Sequence, residues 1–366
     1  MEQNMPRFTL SFLIGCIFIG GCNLPSTDQS IPEFDSKPVV WLDEWPRENE
    51  ISKGRRKAET LLAMGDKNKR ARNFGTAEMH YKFASDADPT WAYPAYQTAC
   101  AFDLWGKPEE AAKNFQKAID LGFDDYPTVL IDDDLVSIRK LPNFDQSLQK
   151  IRDNYITNGT KNVGQPIAIP ATGNKPPGGW PMILLLHGYA DSNLRYLDKA
   201  KQWAALGFVA VAVPGSTPLS ANAFRWNSET IETTQKDLQS IVQSKQFDGI
   251  VNREKVYLLG FSQGALHAIL LTAEHPDLYQ GVIAISPGGP QGERLASPGI
   301  NSEKGAARLV FIQGTGEPDN PFASIWGVES KQAGWKYKFE SHNGGHHFPA
   351  DWENMRPDIA KFLLEQ

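Results

Sequence analysis

Val256-Tyr-Leu-Leu-Gly260-Phe261-Ser262-Gln263-Gly264-Ala265-Leu-His267-Ala-Ile-Leu-Leu271 is the stretch on which the fold turns. An apolar run of strand length enters it, and an apolar run with helical character leaves it. Between them stands G-x-S-x-G, which places Ser262 on a sharp strand-to-helix turn. Strand and helix cross closely at such a turn, so the residues two before and two after the serine must be small. A serine there sits at the helix N-terminus, where unpaired backbone N–H groups favour developing negative charge.

Working outward, strand-length apolar runs recur at Pro166–Ile169, Met182–Leu186, Val209–Val213, Val282–Ile285, Leu309–Ile312 and Trp335–Phe339. Helical patterns fall near 194–206, 228–246, 263–274, 322–333 and 354–365. Strands that are apolar throughout and separated by helices predict a mostly parallel sheet covered by helices on both faces. Upstream, Ile183-Leu-Leu-Leu-His187-Gly188-Tyr189-Ala-Asp191-Ser192 is a buried-type strand ending in His-Gly.

GFSQG together with LHGYADS resembles the carboxylesterase/lysophospholipase branch of the α/β-hydrolases, whose typical pieces are GFSQGG and LHGLGD. Ala265 replaces the last of those glycines. The resemblance spans about 165–366 and implies a serine hydrolase with no cofactor, acting on small-molecule or lipid esters through an acyl-enzyme. It implies backbone N–H donors at Tyr189 and Gln263 for an oxyanion, with Ser262 the nucleophile. The acid and the histidine follow in that order. The family's H-G-x-x-D-x-x-V-P matches Gln313-Gly-Thr-Gly-Glu317-Pro-Asp319-Asn320-Pro321, which puts Glu317 at the acid position and leaves Asp319 as an alternative. Its G-H-x-x-P selects His346 in Ser341-His342-Asn343-Gly344-Gly345-His346-His347-Phe348-Pro349, with His347 and His342 as runners-up. His187 reads as a shaper of the loop, and His267 and His275 as packing or helix-end residues. Phe224-Arg225-Trp226 falls where this branch often carries a substrate-facing aromatic segment, though Trp226 reads equally well as core. Peptidase, thioesterase and polysaccharide deacetylase chemistry remain alternatives on the same fold. A non-catalytic scaffold is the alternative from another class.

The preceding hundred residues read differently. Ala77, Tyr81, Ala84 and Ala111, Phe115, Ala118 repeat A-x3-aromatic-x2-A at a period of 34. Small residues let two helices approach while the ring fills the groove. The segment resembles tetratricopeptide repeats over roughly 57–123, without the W-x2-L-G-x2-Y opening in its first unit. Asp132-Asp133-Asp134-Leu135 to Leu141-Pro142-Asn143-Phe144 resembles a capping segment. Two units form either a packing module or a docking surface for a protein partner.

At the N-terminus, Arg7 precedes an apolar stretch ending Ile19-Gly20-Gly21-Cys22, which is similar to a bacterial lipoprotein cleavage box. The resemblance implies lipidation at Cys22 and an exported, membrane-anchored protein; a secretory signal with an unmodified Cys22 is the alternative. The expected organisation is therefore a signal peptide (1–21), a Pro/Ser-rich tether (22–52), a tetratricopeptide-like helical domain (53–152), a polar linker (153–164) and an α/β-hydrolase domain (165–366). Trp41 and Trp45 in the tether are candidates to dock on the helical domain. Of the 3 cysteines, Cys100 alone remains after those at the N-terminus, so no disulfide framework or cysteine-based metal site is expected, and the spacing of histidines suggests no metal. With 37 Lys+Arg against 43 Asp+Glu, no basic excess exists to neutralise phosphates, which argues against nucleic-acid binding.

Overall fold

The computed structural model describes residues 31–46, 52–289, 295, 299–317 and 321–365. The signal segment and Cys22 lie outside these residues, as does Asp319. No helix among the described residues is long and apolar enough to cross a membrane.

The C-terminal part is built on an eight-stranded sheet. Its strands are β1 (Val40–Trp41), β2 (Ile167–Ile169), β3 (Trp180–Leu186), β4 (Val209–Val213), β7 (Val251–Phe261), β8 (Gly281–Ile285), β9 (Arg308–Gly314) and β10 (Lys336–His342). They lie in the order β1-β2-β4-β3-β7-β8-β9-β10. Every pairing is parallel except that of β2 with β4. Alternate side chains leave the sheet on opposite faces. Met182, Leu184 and Leu186 pack with α8 (Glu232–Val242), α9 (Gln263–Glu274) and α10 (Pro321–Gln332) on one side. Ile183 and Leu185 pack with α7 (Leu197–Ala204) and α11 (Trp352–Leu364) on the other. Burial on both faces is why these strands read as unbroken apolar runs. The predicted strands and helices are all present, and a mostly parallel sheet flanked by helices fits the expected α/β-hydrolase fold. A short hairpin, β5 (Thr217–Ser220) with β6 (Ala223–Arg225), was not legible beforehand.

The helical segment forms two hairpins, α1 (Lys53–Arg70) with α2 (Phe74–Ala87), and α3 (Tyr93–Leu104) with α4 (Pro108–Asp120). The repeat positions Ala77, Tyr81, Ala84 and Ala111, Phe115, Ala118 are buried at equivalent places on α2 and α4. A Cβ on Gly65 of α1 would lie 2.3 Å from the Tyr81 ring, which shows how closely the first pair approaches. A short α5 (Tyr126–Ile131) and a long α6 (Phe144–Asn162) complete the segment.

Three expectations are corrected. The stretch 153–164 is not a linker up to Asn162: it is the second half of α6, where Ile151, Tyr155 and Gly159 bury one helical stripe and the polar residues that suggested a link lie on the remaining surface. The proposed tether is not free between 31 and 46, because Val40–Trp41 adds β1 to the hydrolase sheet and Phe34 packs edge-on against Tyr155 at 5.5 Å. Trp41 docks on the C-terminal α/β part rather than the helical part, meeting Phe247 edge-on at 5.4 Å. The two parts also touch directly: Glu59 pairs with Arg195 at 2.9 Å, and Thr128 on α5 meets the Tyr189 hydroxyl at 3.3 Å.

Candidate active site

Ser262 joins β7 to α9 with φ 53° and ψ −121°, a backbone region that non-glycine residues avoid. Holding a serine there costs roughly 1–3 kcal/mol and requires tight surroundings. The neighbours supply them. A Cβ on Gly260 would sit 2.3 Å from the Gly264 carbonyl oxygen, and one on Gly264 would sit 2.4 Å from that of His187. Only glycine fits either place. The Ser262 carbonyl accepts the first helical hydrogen bonds, from Ala265 and Leu266, while its hydroxyl does not cap the helix and is left to other work.

That hydroxyl meets His346. His346 Nε2 lies 2.8 Å from Ser262 Oγ, and His346 Nδ1 lies 2.6 Å from Glu317 Oε1. A neutral imidazole with its proton on Nδ1 fits both contacts, leaving Nε2 to accept from the serine. Glu317 comes from the turn after β9 and His346 from the loop after β10. The two loops nest on glycines: Gly316 N–H donates to the Gly344 carbonyl at 2.6 Å, and a Cβ on Gly314 would lie 2.5 Å from the Gly345 oxygen. Glu317 Oε2 accepts from Ser286 Oγ at 2.8 Å and from Gly314 N–H at 3.0 Å. Burial opposes ionisation of Glu317, but the hydrogen bonds from His346, Ser286 and Gly314 outweigh it and hold the carboxyl below its ordinary range. The Phe261 ring flanks the imidazole at 5.0 Å. His346 remains half exposed, so the site opens to solvent.

The other histidines are placed apart. His187 is buried; Gly215 N–H donates to its Nε2 at 2.8 Å, so the proton sits on Nδ1, facing the Gly188 carbonyl. Burial keeps it neutral. It braces the strand end, as its position suggested. His267 is pushed down to about 3 by burial and bonds Asn227 and Thr234. His342 and His347 pack against each other at 5.2 Å, and His275 lies 3.3 Å from Lys304 Nζ. The His187–Gly188 turn runs beside the nucleophile: a Cβ on Gly188 would lie 3.4 Å from Ser262 Cβ.

Trp226 belongs to the core rather than to a substrate wall. It is fully buried, its Nε1 donates to the His187 carbonyl at 2.7 Å, and its backbone exchanges two hydrogen bonds with the Gln263 side chain. It thereby ties the His-Gly turn to the start of α9. Ser286 was not singled out beforehand. Its only signal was a serine closing a strand before Pro287-Gly288, which is common at any strand end.

The one group of possible metal ligands among the described residues is Cys100, Asp132 and Asp134 in the helical segment. The Lys69 ammonium already bonds Asp134 and lies 2.9 Å from Gln97, so a cation is present there. Cys100 is buried, and burial raises its thiol pKa.

Comparison with known proteins finds relatives among hydrolases and esterases. The family described as "Serine aminopeptidase, S33" matches residues 181–314. "Putative esterase NocK" of Nocardia uniformis is 27% identical over 157 residues, 41% of this chain and 43% of that protein. "Acyl-protein thioesterase 1" of Kluyveromyces lactis is 28% identical over 210 residues, 50% of this chain and 90% of that protein. The chain thus spans less than half the length of the first relative. A Bacillus cereus carboxylesterase of known structure superposes with a TM-score of 0.42 at 17% identity, over 56% of this chain and 97% of its own. The family match and the two relatives support an ester-hydrolysing α/β-hydrolase.

Proposed function

We propose that the protein is a serine hydrolase that cleaves carboxylic esters through an acyl-enzyme. The observation that carries the reading is the unbroken hydrogen-bonded chain from Ser262 through His346 to Glu317, with the serine on a strained elbow. His346 Nε2 takes the Ser262 proton as Oγ attacks the ester carbonyl, forming a C–O bond and a tetrahedral oxyanion. The backbone N–H groups of Tyr189 and Gln263 hold that charge. Collapse breaks the bond to the leaving alkoxide, which receives the proton from His346. Water then repeats the sequence on the acyl-enzyme and releases the acid. Glu317 keeps the imidazole in the correct tautomer and stabilises the imidazolium.

The thioesterase relative gives a second reading its support, since a thioester asks the same site only for a better leaving group. A panel of p-nitrophenyl esters of increasing chain length, with an acyl-thioester arm, ranks the two. A fluorophosphonate probe tests the nucleophile: the expected result is labelling at Ser262 in the folded protein and none in Ser262→Ala. Absence of labelling in active-temperature, folded wild type would favour the scaffold reading instead.

The same proposal includes two tetratricopeptide-type repeats, supported by the buried repeat positions on α2 and α4, and export with a lipid on Cys22. Intact-mass analysis from the native host is the test of the anchor, with an acylated N-terminal cysteine expected.

A further inference from the structure

A cavity of about 950 Å³ opens where segment 31–39, the end of α6 and the C-terminal edge of β4 meet. Ser262, Glu317 and His346 do not line it. Its size suits a small molecule. Arg225, the last residue of β6, lines it and is only 9% exposed. Its Nε is buried without a hydrogen-bond partner, and among the described residues no carboxylate forms an ion pair with the guanidinium. The Ser216 hydroxyl, which also lines the cavity, is likewise buried and unpartnered.

An arginine this buried, with its Nε unpartnered and no ion pair to its guanidinium, is costly unless something anionic meets it. The acids nearby do not serve. Asp125 feels the Arg225 charge, but burial lifts its carboxyl to about 7 and Thr128 holds it at the start of α5. Glu33, Asp35 and Glu229 are exposed at the rim. Asp237, on α8, is lifted to about 6 by burial and bonds Ser36.

We propose that this cavity binds a small ligand bearing a carboxylate or phosphate, with Arg225 as its anchor. The planar guanidinium presents paired donors that match either anion. Ser216 and Asn227 offer further polar contacts, and Val213, Pro214 and Ile131 add apolar lining for a short tail. Because the helical segment, the N-terminal segment and the hydrolase all contribute walls, an occupant would bridge the three.

The test is isothermal titration of the full chain with hexanoate and with inorganic phosphate. Saturable binding of hexanoate assigns a carboxylate ligand, of phosphate a phosphate ligand, and of both a general anion site. Arg225→Met should weaken that binding at least tenfold while leaving p-nitrophenyl ester turnover unchanged, and it should match or exceed the wild-type Tm in the absence of anion. Ser216→Leu, which puts a bulky apolar side chain into the lining, should weaken binding as well and replaces the first variant if that one does not fold. Neither probe binding the wild type saturably, or undiminished binding in the folded variants, overturns the proposal.

Discussion

Ser262 meets two demands at once: it occupies a backbone region open mainly to glycine, and it offers its hydroxyl to His346. The glycines on either side make this possible. Gly264→Ala would push a methyl group to 2.4 Å from one backbone oxygen and 2.5 Å from another, neither of which belongs to a flexible side chain. We expect it to lower stability by at least about 2 kcal/mol in urea unfolding and to suppress ester turnover with it. Glu317→Gln separates chemistry from folding. It keeps the size of the side chain but not its charge, so kcat should fall about 10³–10⁴-fold with the Tm little changed, measured on p-nitrophenyl acetate. The acid illustrates what the residue pattern could say. The family pattern put Glu317 at the acid position with Asp319 as the alternative; Glu317 meets His346 where its turn folds back on Gly344 and Gly345, and Asp319 lies outside the described residues. Nothing in linear spacing expresses that nesting.

At the scale of elements, the two loops that meet over the sheet rim are held by short-range packing, whereas the His-Gly turn also leans on a distant helix. Tyr189 reaches Thr128 on α5, and Asp125 opens that helix by accepting the Thr128 N–H at 3.1 Å. Burial raises the Asp125 carboxyl from 3.8 to about 7. A carboxyl whose folded pKa is raised contributes stability below its unfolded pKa and loses it as pH climbs through the folded value. Wild type should therefore lose stability between about pH 4 and pH 7 from this group. Asp125→Asn retains a capping oxygen and removes the titration; urea unfolding across that range should show a slope smaller by roughly 1–3 kcal/mol in total. Element type was largely legible, because strands buried on both faces and helices with small-residue stripes leave plain patterns. The β5–β6 hairpin and the second half of α6 were not, since Thr217–Arg225 is too short to show alternation and α6 buries only one residue in four there.

For the whole molecule, the segment before the helices is structural. β1 extends the sheet beyond β2, and Trp41 covers Phe247 beneath α8. Trp41→Ala should cost about 1–3 kcal/mol, read as a lower urea midpoint at unchanged m, because the ring is partly rather than fully buried.

The sheet and its covering helices were legible from local periodicity, and the elbow from glycines whose need is local. The order of serine, acid and histidine came from the family resemblance rather than from any local pattern. Only contacts between distant segments set Glu317 against His346 with Ser286 beside it, bury Trp226 in the core, and add Val40–Trp41 to the sheet. Each of these depends on contacts between segments far apart along the chain, set by how loops close over one sheet edge rather than by the pattern within any one of them.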